Sequence, residues 1–209
     1  MEPFSDTSGL DRGLPVDRVY IRTFVEAHAA DVHGDVMEMS RSTYTDACGG
    51  SRVASLTIVD IDGTNEQATL VCDLCVTGAL PSERFDCIVL TQTLQYLSDL
   101  PAAVTNLWSA LRPGASLLIT VPALGRDDPL GSDYWRFTPA GLRRRLSDLL
   151  PTEAEIEVVG YGNALAGAAI FLGLAVEDVG RRHLDVHDPS FPVIVGARVV
   201  KPVSAVAIP

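Results

Sequence analysis

The sequence is short of positive charge: 16 lysines and arginines stand against 27 acids, for a formal net charge of −11 at pH 7. That balance argues against a nucleic-acid backbone or an anionic membrane surface as partner, since both select basic faces. The basic cluster Arg143-Arg144-Arg145 falls in an amphipathic segment and reads as a solvated helix face. Long hydrophobic runs are missing too. The longest, Ala164 to Val176, is well short of the roughly 20 residues a membrane span needs, and the start does not read as a secretory leader. Cysteine is scarce, with four residues at 48, 72, 75 and 87. Cys72 and Cys75 have C-x-x-C spacing, but no second pair completes a zinc site, so the thiols read as buried and no metal is expected. A reducing cytoplasm suits such a chain.

What is present is enough apolar residue, 47% of 209, to build a single core. The organising stretch runs from Arg84 to Leu124. Phe85 to Leu90 is a nearly unbroken apolar run, rich in β-branched residues, of the kind buried on both faces of a sheet. Leu100, Val104, Leu107, Trp108 and Leu111 then recur at helical spacing, with Asp99 and Pro101 suited to a first turn. Arg112-Pro113-Gly114 stops that helix, and Ser116 to Val121 supplies a second buried strand. Strand, crossover helix and strand make a right-handed βαβ unit and therefore a parallel sheet. Ligands of such sheets bind beyond the carboxyl ends of the strands, here Thr91-Gln92-Thr93 and Pro122-Ala123-Leu124.

In chain order, residues 1 to 15 read as an extended arm, followed by a helix of about four turns carrying Val16, Tyr20, Phe24 and Ala27 on one face. Further strands are predicted at Asp35 to Met39, Val53 to Val59, Ala68 to Cys72, Glu155 to Val159 and Phe191 to Val200. Ser40 to Gly50 is a loop or short helix, and a long loop spans Gly125 to Thr138. Thr138-Pro139 caps one more helix, and a small-residue helix covers about Asn163 to Ala175. The division expected is an arm and helix over 1–33, acting as a lid, and an α/β domain over 34–209.

Seven strands alternating with helices resemble the class I S-adenosylmethionine-dependent methyltransferase fold. The phrases Asp11-Arg-Gly-Leu-Pro-Val-Asp-Arg18, Phe85 to Gln95, Leu111-Arg-Pro-Gly114, Asp133-Tyr-Trp-Arg-Phe-Thr-Pro139, Tyr161-Gly-Asn163 and His187-Asp-Pro189 are similar to those of small bacterial methyltransferase-domain proteins of glycosylation and secondary-metabolite pathways. The resemblance implies a Rossmann-like α/β sheet ordered 3-2-1-4-5-7-6, with only the last strand antiparallel and helices on both faces. It also implies S-adenosylmethionine as cofactor and a small-molecule substrate, a sugar or natural product methylated on oxygen or nitrogen. Two alternatives on the same fold stay open: a natural-product cyclase that has lost methyl transfer, and a non-catalytic binding protein. One departure from the family pattern bears on this choice. The loop after the first strand, Glu38-Met-Ser-Arg-Ser-Thr-Tyr-Thr45, has no glycine until Gly49, and relatives tend to carry glycine where this chain has Ser40.

The cofactor positions that the resemblance implies are Glu38 and Ser40 in that loop, Asp60 or Asp62 on the ribose hydroxyls, Asp73 near the adenine amine, and Thr91 and Gln92 beside the methionine portion. Tyr20, Gln95, Tyr96, Tyr134, Trp135 and Arg136 are candidates for the substrate pocket, Trp135 being equally suited to the core. His187 with Asp188 forms either a general base and its orienting acid or an Asp-Pro turn, and Tyr134 is a further catalytic candidate. Methyl transfer from a sulfonium asks mainly for alignment in a dry pocket, so the lack of an obvious triad is compatible with it.

Overall fold

The computed structural model of the protein describes residues 2–127 and 132–203. A seven-stranded sheet carries the order β3-β2-β1-β4-β5-β7-β6, built from β1 (Gly34–Met39), β2 (Val53–Asp60), β3 (Leu70–Val71), β4 (Phe85–Thr91), β5 (Leu111–Pro122), β6 (Glu155–Tyr161) and β7 (Ile194–Val200). The pairings among β1 to β5 are parallel, and β7 runs antiparallel to both β5 and β6. The expected architecture is therefore the observed one.

Among the described residues, seven α-helices flank the sheet: α1 (Val16–Ala27), α2 (Thr43–Cys48), α3 (Leu100–Ala110), α4 (Pro139–Leu149), α5 (Ala164–Leu172), α6 (Val176–Val179) and α7 (Arg181–Leu184). They divide the core in two. On one face Leu100, Val104 and Leu107 of α3 and Leu142 and Leu146 of α4 pack against Ile88, Leu90, Leu117 and Ile119. On the other, Ile21, Phe24 and Val25 of α1 and Ala166 and Ala169 of α5 pack against Val36, Cys87, Val89 and Leu118. The central strands are thus covered on both sides, which is why Cys87–Leu90 of β4 and Leu117–Ile119 of β5 read as continuous apolar runs rather than alternating ones.

Three differences from expectation have a local reason; the last strand also begins at Ile194 rather than Phe191. The strand expected over Ala68 to Cys72 is reduced to Leu70–Val71, because the Thr69 hydroxyl accepts the Ile58 N–H that a longer ladder would use. The Arg112-Pro113-Gly114 turn lies inside β5 as a bulge: the partner of Phe85 is Leu111 and that of Cys87 is already Ser116. The helix expected to reach Ala175 stops at Gly173, which adopts a left-handed conformation with φ of +67°. The arm before α1 lies along the same layer, with Phe4 N–H donating to the Leu172 carbonyl at 2.7 Å and Pro15 bridging to Ala175.

Candidate active site

Two adjoining cavities open at the carboxyl ends of the strands. The larger, about 490 Å³, is lined by Ser40 after β1, Asp60 and Ile61 after β2, Asp73, Gln92 and Thr93 after β4, and Tyr134 of the long loop. The smaller, about 120 Å³, lies between the first turn of α1, the end of β4 and the long loop, with Asp17, Gln95, Arg126 and Arg136 among its lining residues. Gln92 and Tyr96 line both. They form a shared wall.

The loop after β1 is held from below. Glu38 is buried, and its two carboxylate oxygens accept the N–H groups of Tyr44 and Thr45, both at 2.8 Å, at the start of α2. A carboxylate facing a helix N-terminus satisfies orphan donors and the helix dipole together. Burial pushes the Glu38 carboxyl upward, opposed by those hydrogen bonds. Glu38 therefore acts on the loop through α2 and lines neither cavity.

Ser40 itself sits at φ of +61°, the region that costs a side chain about 1–2 kcal/mol and glycine little. Its N–H donates to the Val59 carbonyl at 2.8 Å, and the next N–H, of Arg41, folds back to the Met39 carbonyl at 2.7 Å. The backbone after β1 thus turns through a left-handed residue, and that residue is a serine. Asn65 braces it: one amide nitrogen donates to the Ser40 carbonyl at 2.8 Å and to Asp60 Oδ2 at 2.7 Å. Asp60 also accepts the Asp62 N–H, and its carboxyl is lowered, burial opposing the hydrogen bonds from Asp62, Asn65 and Ser40. Asp62 points elsewhere, accepting from the N–H and hydroxyl of Thr64. Of the two acids only Asp60 lines the cavity.

The long loop closes over the other side. Tyr134 N–H donates to the Gln95 carbonyl at 2.8 Å, and Trp135 Nε1 to the Leu97 carbonyl at 2.9 Å. Arg136 forms a forked pair with Asp133 and donates to the Arg126 carbonyl. Within the loop, residues 128–131 lie outside the described residues.

The chain matches the family model described as a methyltransferase domain over residues 28–151, more than half its length. It belongs to the methyltransferase-domain family. No curated protein matches it at the sequence level. Solved structures resemble it in fold. An S-adenosylmethionine-dependent methyltransferase from Mesorhizobium loti shares 14% identity at a TM-score of 0.58, over 91% of this chain and 99% of that one. The [4+2]-cyclase SpnF shares 14% at 0.56, over 97% and 87%. A Haemonchus contortus phosphoethanolamine N-methyltransferase 2, solved with S-adenosyl-L-methionine, shares 12% at 0.52, over 90% of this chain but only 57% of its own.

Against this methyltransferase-domain frame, the residues singled out in the sequence fall into two groups. Ser40, Asp60, Asp73, Gln92, Gln95, Tyr96, Tyr134 and Arg136 converge on the cavities. The others sit elsewhere. Tyr20 is only 5% exposed, and its hydroxyl donates to the Leu184 carbonyl at 3.0 Å, so it belongs to the core under α7. Thr91 is still within the ladder, opposite Thr120. Trp135 stacks near Phe137, with ring centroids 6.3 Å apart. His187 is exposed beside Tyr161, and Asp188 makes an Asx turn, accepting the Ser190 N–H at 2.9 Å. Of the residues missed, Asp17 lies within the quoted Asp11 to Arg18 phrase, whereas Asn65 reads in sequence only as a turn residue. Cys72 and Cys75 both border the larger cavity.

Proposed function

We propose that this protein is an S-adenosylmethionine-dependent methyltransferase acting on an oxygen or nitrogen of a small molecule. The observation that carries the reading is the pair of adjoining cavities sharing Gln92 and Tyr96 at the end of β4. Such an arrangement suits a donor and an acceptor meeting across a common wall. The larger cavity, about 490 Å³, is within the usual range for cofactor sites. Its polar lining suits the cofactor: Asp60 to accept from the ribose hydroxyls, Asp73 to accept from the adenine amine, and the Ser40 turn and Gln92 for the methionine end. Once bound, the cofactor supplies a methyl group already activated on a sulfonium. Tyr96 and Tyr134 both line the larger cavity, and aromatic rings suit contact with a cation. Gln95, Tyr96 and Arg136 belong to the acceptor side. His187 and Asp188 lie outside both cavities, and the reading gives them no chemistry. A setting in sugar or natural-product modification, in a reducing cytoplasm suited to four free cysteines, belongs to the same reading.

Calorimetric titration with S-adenosylmethionine and its demethylated product tests it. Asp60→Ala should weaken binding by about 1.5–3 kcal/mol, the scale of a lost charged hydrogen bond, while Asp62→Ala should change it little. The absence of both heat and a thermal shift at millimolar cofactor would remove the reading. Binding without methyl transfer to any acceptor would favour the cyclase alternative.

A further inference from the structure

Helix α5, from Ala164 to Leu172, carries no polar side chain on any face. A helix of that kind is normally enclosed, yet only part of this one is. Ala166 and Ala169 pack into the core against α1, while Leu165, Ala168 and Phe171 stay exposed. Phe171 keeps 58% of its surface in water, and Phe191, just before β7, keeps 51%. Both rings line one groove of about 410 Å³, together with Ala164, Gly167 and Ala168 of the helix. Among the described residues none of the side chains lining it is charged. Its two polar members are Asn163 and Ser190, and Asn163 is already spent. The Asn163 amide nitrogen donates to the His183 and Val186 carbonyls, and its Oδ1 accepts the Ala166 N–H. A concave, uncharged and largely apolar site of this size suits the hydrocarbon part of a small molecule. It offers little to the hydroxyls of a sugar.

The groove adjoins the acceptor side of the candidate active site by two routes. Leu124, after β5, lines both the groove and the smaller cavity. Phe171 lines both the groove and a third cavity of about 310 Å³, which shares Ser8, Arg126 and Ile170 with the smaller one. The lining of the smaller cavity is mixed. Charges of both signs, Asp17 and Asp133 with Arg126 and Arg136, stand in it beside apolar residues that include Leu124 and Ile170. Those two lead outward: Ile170 belongs to α5, and Leu124 comes within 3.3 Å of where a Cβ on Gly167 would stand. A molecule with a polar end and a hydrocarbon tail matches this sequence of surfaces, from charged cavity to uncharged groove.

We propose that the groove over α5 seats the alkyl tail of the acceptor, whose polar end reaches the smaller cavity. The proposal rests on the methyltransferase reading for the chemistry at that polar end, and narrows the acceptor to molecules carrying a hydrocarbon chain. A second copy of the chain is the competing occupant.

The test titrates the full chain with 1-butanol, 1-hexanol and 1-octanol, with and without S-adenosylhomocysteine. Affinity should rise roughly fourfold for each methylene added, the equilibrium equivalent of burying one. It should be the same with S-adenosylhomocysteine present, because the groove and the larger cavity have no lining residue in common. Ala168→Glu puts a charge at an exposed helix position and should flatten the chain-length dependence, leaving S-adenosylhomocysteine affinity within about twofold. Phe191→Ser, a separate lesion off the helix, should weaken 1-octanol severalfold. Val203→Glu, at an exposed apolar residue that lines none of these cavities, should keep the dependence. Affinity independent of chain length, a dependence that survives Ala168→Glu, or displacement of 1-octanol by S-adenosylhomocysteine would each overturn the proposal. A flat series in a protein that sediments as a dimer, and as a monomer once Ala168→Glu is made, would give the groove to a second copy instead. A steep series without any S-adenosylhomocysteine binding would sink the methyltransferase reading and leave the tail site standing.

Discussion

The carbonyl of Ser40 accepts a 2.8 Å hydrogen bond from the side-chain amide of Asn65, 25 residues later in the chain. The same nitrogen reaches Asp60 Oδ2 at 2.7 Å. One side chain thereby ties the turn after β1 to the acid that ends β2, the two features on which cofactor binding depends in this reading.

Replacing Asn65 with alanine should cut both ties. The expected result is a loss of about 1–3 kcal/mol of folding stability in urea titration, the range for one or two hydrogen bonds of which one is to a carboxylate. S-adenosylmethionine affinity should fall as well, since Asp60 and the loop are then free to part. A variant with wild-type cofactor affinity would show that Asn65 braces nothing the cofactor uses.

Ser40→Gly should relieve the left-handed strain at φ of +61°. Glycine also adds freedom to the unfolded chain, which offsets part of the gain. The net expectation is a stability change between zero and about +1 kcal/mol, with cofactor binding unchanged or tighter. Ser40→Val, β-branched at the same φ, should be clearly destabilising. Thermal melts of the three proteins order them, and a melting point for glycine below that of serine would contradict the strain argument.

Glu38→Ala should leave the N–H groups of Tyr44 and Thr45 without partners inside the protein. A cost of about 1–3 kcal/mol for the orphaned donors is expected. Glu38→Gln, which retains one acceptor oxygen, should cost less. Hydrogen exchange at Tyr44 and Thr45 is the site-specific readout: faster exchange in the alanine variant and a smaller change in the glutamine one.

At the amino ends of the strands, away from the cavities, Asp35 meets Ser55, Arg84 and Arg112. The Ser55 hydroxyl, then Arg112, hold its carboxyl down at about 2, from an ordinary 3.8. Asp178 is likewise held at about 2, first by the Arg12 guanidinium. Both folded values lie below the unfolded one, so between pH 3.8 and 2 the unfolded chain binds more protons and stability falls as pH drops. Stability should be flat with respect to these groups above that window. Acid unfolding of Asp35→Asn should show a shallower loss across the same interval; an unchanged slope would dissociate the cluster from acid stability.

The fold was legible because its evidence is local and periodic. Cys87 to Leu90 and Leu117 to Ile119 are apolar on both strand faces, so a sheet containing them must bury both, and the helical spacing of Leu100 to Leu107 forces a crossover between them. That much follows from the chain itself, as do the strand ends at which Asp60, Asp73 and Gln92 stand. What the linear order could not decide is where each side chain points once strands and turns are packed. Asp60 and Asp62 are equally acidic and two residues apart, but the backbone turn gives one to the cavity and the other to Thr64. Tyr20 and Tyr96 are both aromatic; helix α1 presses the first into the core, while the turn after β4 presents the second to both cavities. Glu38 sits in the expected loop and spends both oxygens on α2. Asp17 and Gln95, 78 positions apart in sequence, line one cavity only because α1 and the end of β4 converge on it. Periodicity reports which residues must be buried; direction, and the company a buried group keeps, come from long-range packing that brings distant segments together.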